Sequence, residues 1–201
     1  MTRIVAGAAG GSTLVSVPGE GTRPTTDRVK EALFSRLESM NMLADTRVLD
    51  LYAGSGSLGA ESASRGAKSV ELVEFNDKAA AVCQLNAELV NKVLGSKVVR
   101  VQRSKVETFL ARTAEAALEQ WDLVFMDPPY PLTEAELSLV LELLAPQLSH
   151  FAVVIVERSA RTPEPTWPAG LTGLAHKKYG ETRLWFAEPV TEAAGVEPST
   201  D

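Results

Sequence analysis

The sequence predicts an α/β protein: a mostly parallel sheet with helices on both faces, closed by an antiparallel hairpin near its C-terminal end. Three observations lead there. From residue 45 to residue 156, short apolar runs of strand length alternate with helical periodicity, the pattern of successive βαβ units joined by right-handed crossovers. A glycine-rich turn, Gly54 to Gly59, directly follows the first of those runs. After residue 156 the alternation stops, and two strand-like runs flank Tyr179-Gly180-Glu181, which reads as a hairpin turn.

The elements follow in order. Arg3 to Ala6 and Thr13 to Val17 are expected as short strands around a glycine-rich turn. Pro24-Thr25-Thr26-Asp27 opens a helix, with Thr25, Thr26 or Asp27 available as an N-cap, and Val29, Leu33, Leu37 and Met40 form its apolar stripe. Val48 to Tyr52 is a buried strand, followed by the glycine turn and a helix ending near Gly66. Val70 to Phe75 is the next strand and Asp77 to Val93 its helix, with Val82, Leu85 and Leu89 apolar. Val98 to Val101 is a third strand, followed by a helix through Phe109, Leu110 and Leu118. Trp121 to Met126, a helix over Glu134 to Leu144, and Phe151 to Val156 complete the parallel part. Leu174 to Lys178 and Thr182 to Ala187 form the hairpin, which brings the main sheet to seven strands. The expected organisation is an N-terminal hairpin-and-helix extension over 1–44, a main domain over 45–190 and a small, acidic, disordered tail over 191–201.

Composition narrows the classes. With 201 residues, 45% hydrophobic and 23% charged, the chain supports one core. It has no eighteen-residue apolar run and no secretion-signal pattern at its start. Cys83 is the only cysteine, so an internal disulfide is impossible and no metal site is expected. A cytoplasmic, monomeric protein with no membrane contact is the expectation. The net charge of −6 argues against a general nucleic-acid binder. It is unevenly spread, however. Residues 1–36 hold five bases (Arg3, Arg23, Arg28, Lys30, Arg36) against three acids, while Glu192, Glu197 and Asp201 sit in the tail.

The glycines of Asp50-Leu51-Tyr52-Ala53-Gly54-Ser55-Gly56-Ser57-Leu58-Gly59 satisfy G-x-G-x-x-G between a strand and a helix. Such a turn lets backbone approach a ligand without an intervening side chain. Glu74, at the end of the next strand, is placed to accept hydrogen bonds from both hydroxyls of a ribose. A nicotinamide dinucleotide and S-adenosylmethionine both fit this signal. Asp50 leans toward the second, because a carboxylate at the strand end can meet its cationic methionine portion.

The second motif is Asp127-Pro128-Pro129-Tyr130, directly after the fourth strand of the main sheet. In a doubly wound sheet the first and fourth strands meet at the topological switch and share one crevice. The Asp127 carboxylate and the Pro128 carbonyl are two acceptors that suit the hydrogens of an exocyclic amine. Held there, the delocalised nitrogen lone pair is drawn toward tetrahedral geometry and aimed at a methyl group. Tyr130 offers a face for stacking an extruded base, and the prolines restrict the loop.

Together these motifs resemble the amino-methyltransferases that use S-adenosylmethionine. With Arg23-Pro24-Thr25-Thr26-Asp27-Arg28-Val29-Lys30-Glu31-Ala32-Leu33-Phe34 added, the chain resembles the RsmD family over about residues 3–188. That resemblance implies a Rossmann-like methyltransferase fold and methylation of the N2 amine of one guanine in 16S ribosomal RNA. It implies that Asp50, Gly54, Ser55 and Gly56 surround the methionine half of the cofactor, that Glu74 takes the ribose and that Phe75 packs near the adenine. The loop Ser104-Lys105-Val106 would border the adenine edge through backbone contacts, since Ser104 stands where many related enzymes carry an acid. Asp127, Pro128 and Tyr130 would hold the target base. Thr25 and Thr26 would cover the cofactor, and Arg23, Arg28 and Lys30 would reach RNA phosphates, although a solvated helix face accounts for Lys30 equally well. The negative net charge favours RNA presented within the 30S subunit over naked RNA.

Rival readings remain distinguishable. A DNA adenine-N6 or cytosine-N4 methyltransferase shares the Asp-Pro-Pro-Tyr logic but needs a sequence-reading domain for which there is little room. A protein-glutamine methyltransferase usually has Asn at the first position of that quartet. A nicotinamide-dependent oxidoreductase would give the quartet no task, and a non-catalytic RNA-binding module would bind cofactor without methylating any RNA. His176-Lys177-Lys178-Tyr179 reads as a polar strand edge, Cys83 as a buried inert thiol, and Trp121, Trp167 and Trp185 as packing residues.

Overall fold

A computed structural model describes residues 2–18, 27–116, 120–129 and 131–190. The elements are β1 (Thr2–Arg3), β2 (Thr13–Leu14), α1 (Asp27–Ser39), β3 (Arg47–Leu51), α2 (Ser57–Ser64), β4 (Ser69–Glu74) and α3 (Asp77–Leu94). They continue with β5 (Val99–Arg103), α4 (Val106–Glu115), β6 (Trp121–Met126), α5 (Glu134–Leu144), a 3₁₀ turn (Ala145–Gln147), β7 (Leu148–Ser159), β8 (Leu171–Tyr179) and β9 (Thr182–Pro189).

Seven strands form one sheet in the order β5-β4-β3-β6-β7-β9-β8, and β1 pairs with β2 separately. Strands β3 to β7 pair in parallel, and β9 joins β7 and β8 antiparallel. The chain steps outward from β3 to β5, then returns to the other side of β3 with β6. That reversal creates the crevice at the C-terminal ends of β3 and β6. The predicted fold class is the observed one.

Both faces of the inner strands β3 and β6 are covered, so they are apolar at all positions but Arg47, Asp50 and Asp122. Val48, Leu123, Phe125, Val153 and Ile155 face one core, shared with Phe34 and Leu37 of α1, Ala60 of α2 and Val90 of α3. Leu49, Leu51, Val124, Met126, Val154 and Val156 face the other, shared with Phe109 and Leu110 of α4 and Leu137, Val140 and Leu141 of α5. A strand covered on both sides favours a near-continuous apolar run over alternation. Among the described residues, no helix is long and apolar enough to cross a membrane.

The structure departs from the sequence reading in several places. The N-terminal strands shrink to two residues each, because the body captures the amides that would extend them. Val5 and Ala6 donate to the Glu61 carboxylate at 2.7 and 3.0 Å, and Val15 donates to Asn86 Oδ1 at 2.8 Å. β7 begins at Leu148 and β8 at Leu171, each three residues earlier than expected. Helix α4 ends at Glu115, and Leu118 lies outside the described residues.

Lys30 requires a correction. It was expected to reach RNA phosphate, but it is 1% exposed. Its Nζ donates to the Arg3 carbonyl and lies 3.5 Å from Glu61 Oε2. Glu61, fully buried, also pairs with Arg65 at 2.9 Å, and Arg65 reaches Glu38 of α1 at 2.7 Å. This network fastens the N-terminal segment and α1 onto α2. A cation held inside it cannot meet a ligand at the surface.

Candidate active site

The C-terminal ends of β3, β4 and β6 supply the site. Asp50 pairs in register with Phe125 of β6 and Leu72 of β4, so the strand ends are level. Its side chain is buried, with Oδ2 accepting from the Gly59 amide at 3.1 Å. The turn between β3 and α2 is tight: Gly56 donates to the Ala53 carbonyl at 2.7 Å, and its φ of 74° is left-handed. A Cβ on Gly56 would also meet Cys83 Sγ and Leu72 Cδ1, each at 2.8 Å. Both the dihedral and the space demand glycine there. Tyr52 holds a φ of 61° without being glycine. Backbone strain of this kind clusters at functional loops.

Glu74 ends β4 and ties the neighbouring turns together. Oε2 accepts from the Gly54 amide at 2.8 Å and Oε1 from the Asn76 amide at 2.7 Å. Each oxygen keeps a further lone pair for a hydroxyl donor. Phe75, next in the chain, is 61% exposed, unusual for a large aromatic with two cores available. Lys105 Nζ lies 5.5 Å from the Phe75 ring centroid. Ser104 donates its amide to the Glu74 carbonyl at 3.2 Å and its hydroxyl to the Lys105 carbonyl at 3.0 Å. Ser104 therefore closes the β5–α4 turn against β4.

Asp127 continues β6 past Met126 and is exposed, while Pro128 is buried and Pro129 exposed. The Pro129 carbonyl accepts from the Leu132 amide at 2.9 Å, which turns the chain toward the capping box of α5 at Thr133 and Glu136. Beside Asp127 lies an apolar cleft walled by Leu33, Phe125, Ile155 and Leu184.

The electrostatics are unusual for carboxylates. Burial pushes the Asp50 carboxyl up to about 8; the Gly59 hydrogen bond opposes this, and the negative charges of Asp127 and Glu74 add to it. A crevice with three acids and a desolvated carboxyl suits a ligand that brings positive charge.

Asp50, Gly54, Ser55, Gly56, Glu74, Phe75, Ser104, Asp127 and Pro128 thus lie on strand ends and turns along one edge of the sheet. Arg28 is exposed on α1, as an RNA contact requires. Arg23, Thr25, Thr26 and Tyr130 lie outside the described residues. The sequence reading named Lys105 only as part of the Ser104-Lys105-Val106 loop and did not anticipate its contact with the Phe75 ring. It also missed Glu61, whose one signal was an acid within the small-residue helix Ser57–Ser64.

Comparison with known proteins adds an independent line. The family described as conserved hypothetical protein 95 matches residues 2–188. The ribosomal RNA small subunit methyltransferase D of Haemophilus influenzae is 37% identical over 178 residues, 89% of each chain. The Escherichia coli K12 protein of the same description is 35% identical over 195 residues, 95% of this chain and 92% of that one. Among solved structures, yhhF from Escherichia coli superimposes with a TM-score of 0.78 at 29% identity, covering 94% of this chain and 98% of that one. The magnesium protoporphyrin IX methyltransferase of Synechocystis, solved with bound SAM, shares the fold (TM-score 0.62, 16% identity, 81% and 79% covered).

Proposed function

This chain belongs to the RsmD family, and we propose that it transfers a methyl group from S-adenosylmethionine to the exocyclic N2 amine of one guanine in 16S ribosomal RNA. The observation that carries the reading is the shared edge of β3 and β6, with buried Asp50 on one strand end and the Asp127-Pro128 acceptor pair on the other.

The residues present fit such a cofactor. Asp50 is a desolvated carboxyl that a cation would restore to its ionised form. Glu74 keeps lone pairs for ribose hydroxyls, and Phe75 leaves an aromatic face open for adenine. Gly54 and Gly56 put backbone rather than side chain against the ligand, and Ser55 lies between them. When bound, S-adenosylmethionine supplies a sulfonium-activated methyl group, so no covalent intermediate with the protein is required. The protein's part is alignment. Asp127 and the Pro128 carbonyl accept the two amine hydrogens and hold the nitrogen for in-line attack. Methylation leaves an extra proton on that nitrogen, and Asp127 accepts it. Tyr130 stacks on the base, Thr25 and Thr26 cover the cofactor, and Arg23 and Arg28 contact phosphates. Residues 1–44 act as the RNA-facing extension of the methyltransferase domain.

The decisive experiment is tritiated methyl transfer to small ribosomal particles lacking the modification, followed by identification of the labelled nucleotide. Label on guanine N2 is expected, with weaker transfer to protein-free RNA because net charge is unfavourable. Label on adenine N6 or cytosine N4 would overturn the guanine assignment, and equal turnover on protein-free RNA would overturn the particle preference.

A further inference from the structure

The cleft beside Asp127 is bordered by a second acid, Glu157, that the reaction above does not use. β6 and β7 run parallel with Met126 paired to Val156, so Asp127 and Glu157 are the next residues on adjacent strands. Adjacent strands are about 4.8 Å apart. The alternation that sends Ile155 toward the α1 side sends Glu157 there as well, and Asp127, just past the end of β6, borders the same cleft. Glu157 also pairs with Leu184 of β9, and Glu157, Leu184, Ile155, Leu33 and Asp127 all line the one cleft. Asp127 and Glu157 thus border one apolar cleft from adjacent strands, one strand spacing apart.

An ionised carboxylate only accepts hydrogen bonds. Two of them along one edge select a planar ligand with two neighbouring N–H groups. Guanine offers this on its Watson–Crick edge, with the N2 amine beside N1–H. Adenine and 2-aminopurine carry a bare N1 lone pair instead, which a carboxylate repels. We propose that Glu157 accepts the hydrogen bond from guanine N1–H while Asp127 holds N2, and that Glu157 thereby sets selectivity for guanine among amino-bearing purines. The inference rests on the guanine-N2 reading above and adds the residue that enforces it.

The test uses the full chain and reconstituted particles whose ligated 16S RNA carries guanine or 2-aminopurine at the methylated position. Both bases have the N2 amine, so both can be methylated. Wild type should favour guanine by about 10–100-fold in kcat/KM, the range of one well-made discriminating contact. Glu157→Gln can donate to a bare N1, so it should lower transfer to guanine, raise transfer to 2-aminopurine and bring the ratio to within about threefold. Cofactor affinity, measured by calorimetry, should not change. Glu157→Asp keeps an acceptor and should keep the guanine preference. A Glu157→Gln enzyme with the wild-type ratio overturns the proposal while leaving the function intact. Wild-type label on a base other than guanine overturns the function itself, and this proposal with it.

Discussion

Asp50→Asn tests the electrostatic reading of the site most directly. In the free protein the Asp50 carboxyl stands near 8 against an ordinary value of 3.8, chiefly because it is buried. Between those two values the folded protein keeps a proton that the unfolded chain has shed. Stability contributed by this group is therefore complete below pH 3.8, declines as pH rises, and levels off above about 8. At pH 7 the full linkage is about 4 kcal/mol, at 1.36 kcal/mol per unit. Local relaxation reduces such penalties, so we expect Asp50→Asn to stabilise the free protein by about 1–3 kcal/mol at pH 7, with Tm rising by about 2–4 °C per kcal/mol. The Asn carbonyl can still accept from Gly59. Urea unfolding from pH 4 to pH 9 is the assay. The wild-type curve should fall toward pH 8, and the variant's should be flatter. The same change should weaken S-adenosylmethionine binding by about tenfold or more through loss of the charge partner. Parallel stability curves across this range would refute the argument.

Other expectations follow from single contacts. Asp127→Ala should bind cofactor as wild type does while kcat falls by about 100-fold or more, measured by calorimetry beside methyl transfer. Lys30→Met removes one of the two cations beside buried Glu61 and leaves the Arg3 carbonyl without its donor, which should cost about 1–3 kcal/mol in urea unfolding, with no direct effect on RNA affinity in the remaining folded protein. In Gly59→Ala the new Cβ would lie 2.2 Å from Leu72 Cδ2 and 2.8 Å from Val70 Cγ1. Pushing α2 off β4 should cost about 1–3 kcal/mol, read by the same unfolding assay.

Much of the fold was legible because it is written in local patterns. Strand β6, Trp121–Met126, is apolar at every position but Asp122, and that run belongs inside the sheet. The two motif-bearing turns could be placed on one crevice because a doubly wound sheet has one switch point. What escaped was set by contacts distant in sequence. Lys30 sits on an amphipathic helix, where a charge ordinarily faces water. Its burial depends on Glu61, thirty-one residues later, and on the Arg3 carbonyl. No periodicity encodes that pairing. The shortened β1 and β2 have the same origin, since Glu61 and Asn86 take amides that local propensity assigns to a ladder. Glu157 was hidden differently. As the residue after a run of buried apolar strand it reads as a solvated strand end, and its proximity to Asp127 emerges only from the β6–β7 register.

Glu74 carries a consequence for mutational scanning of this family. Its carboxylate oxygens hold the amides of Gly54 and Asn76. Replacing it would slacken two loops whether or not any sugar ever touched it. A binding defect in a Glu74 variant is thus an unsafe signature of direct contact. A scan would award this acid the same score as a scaffold strut or as a ribose receptor, and only chemical editing of the sugar hydroxyls can tell them apart.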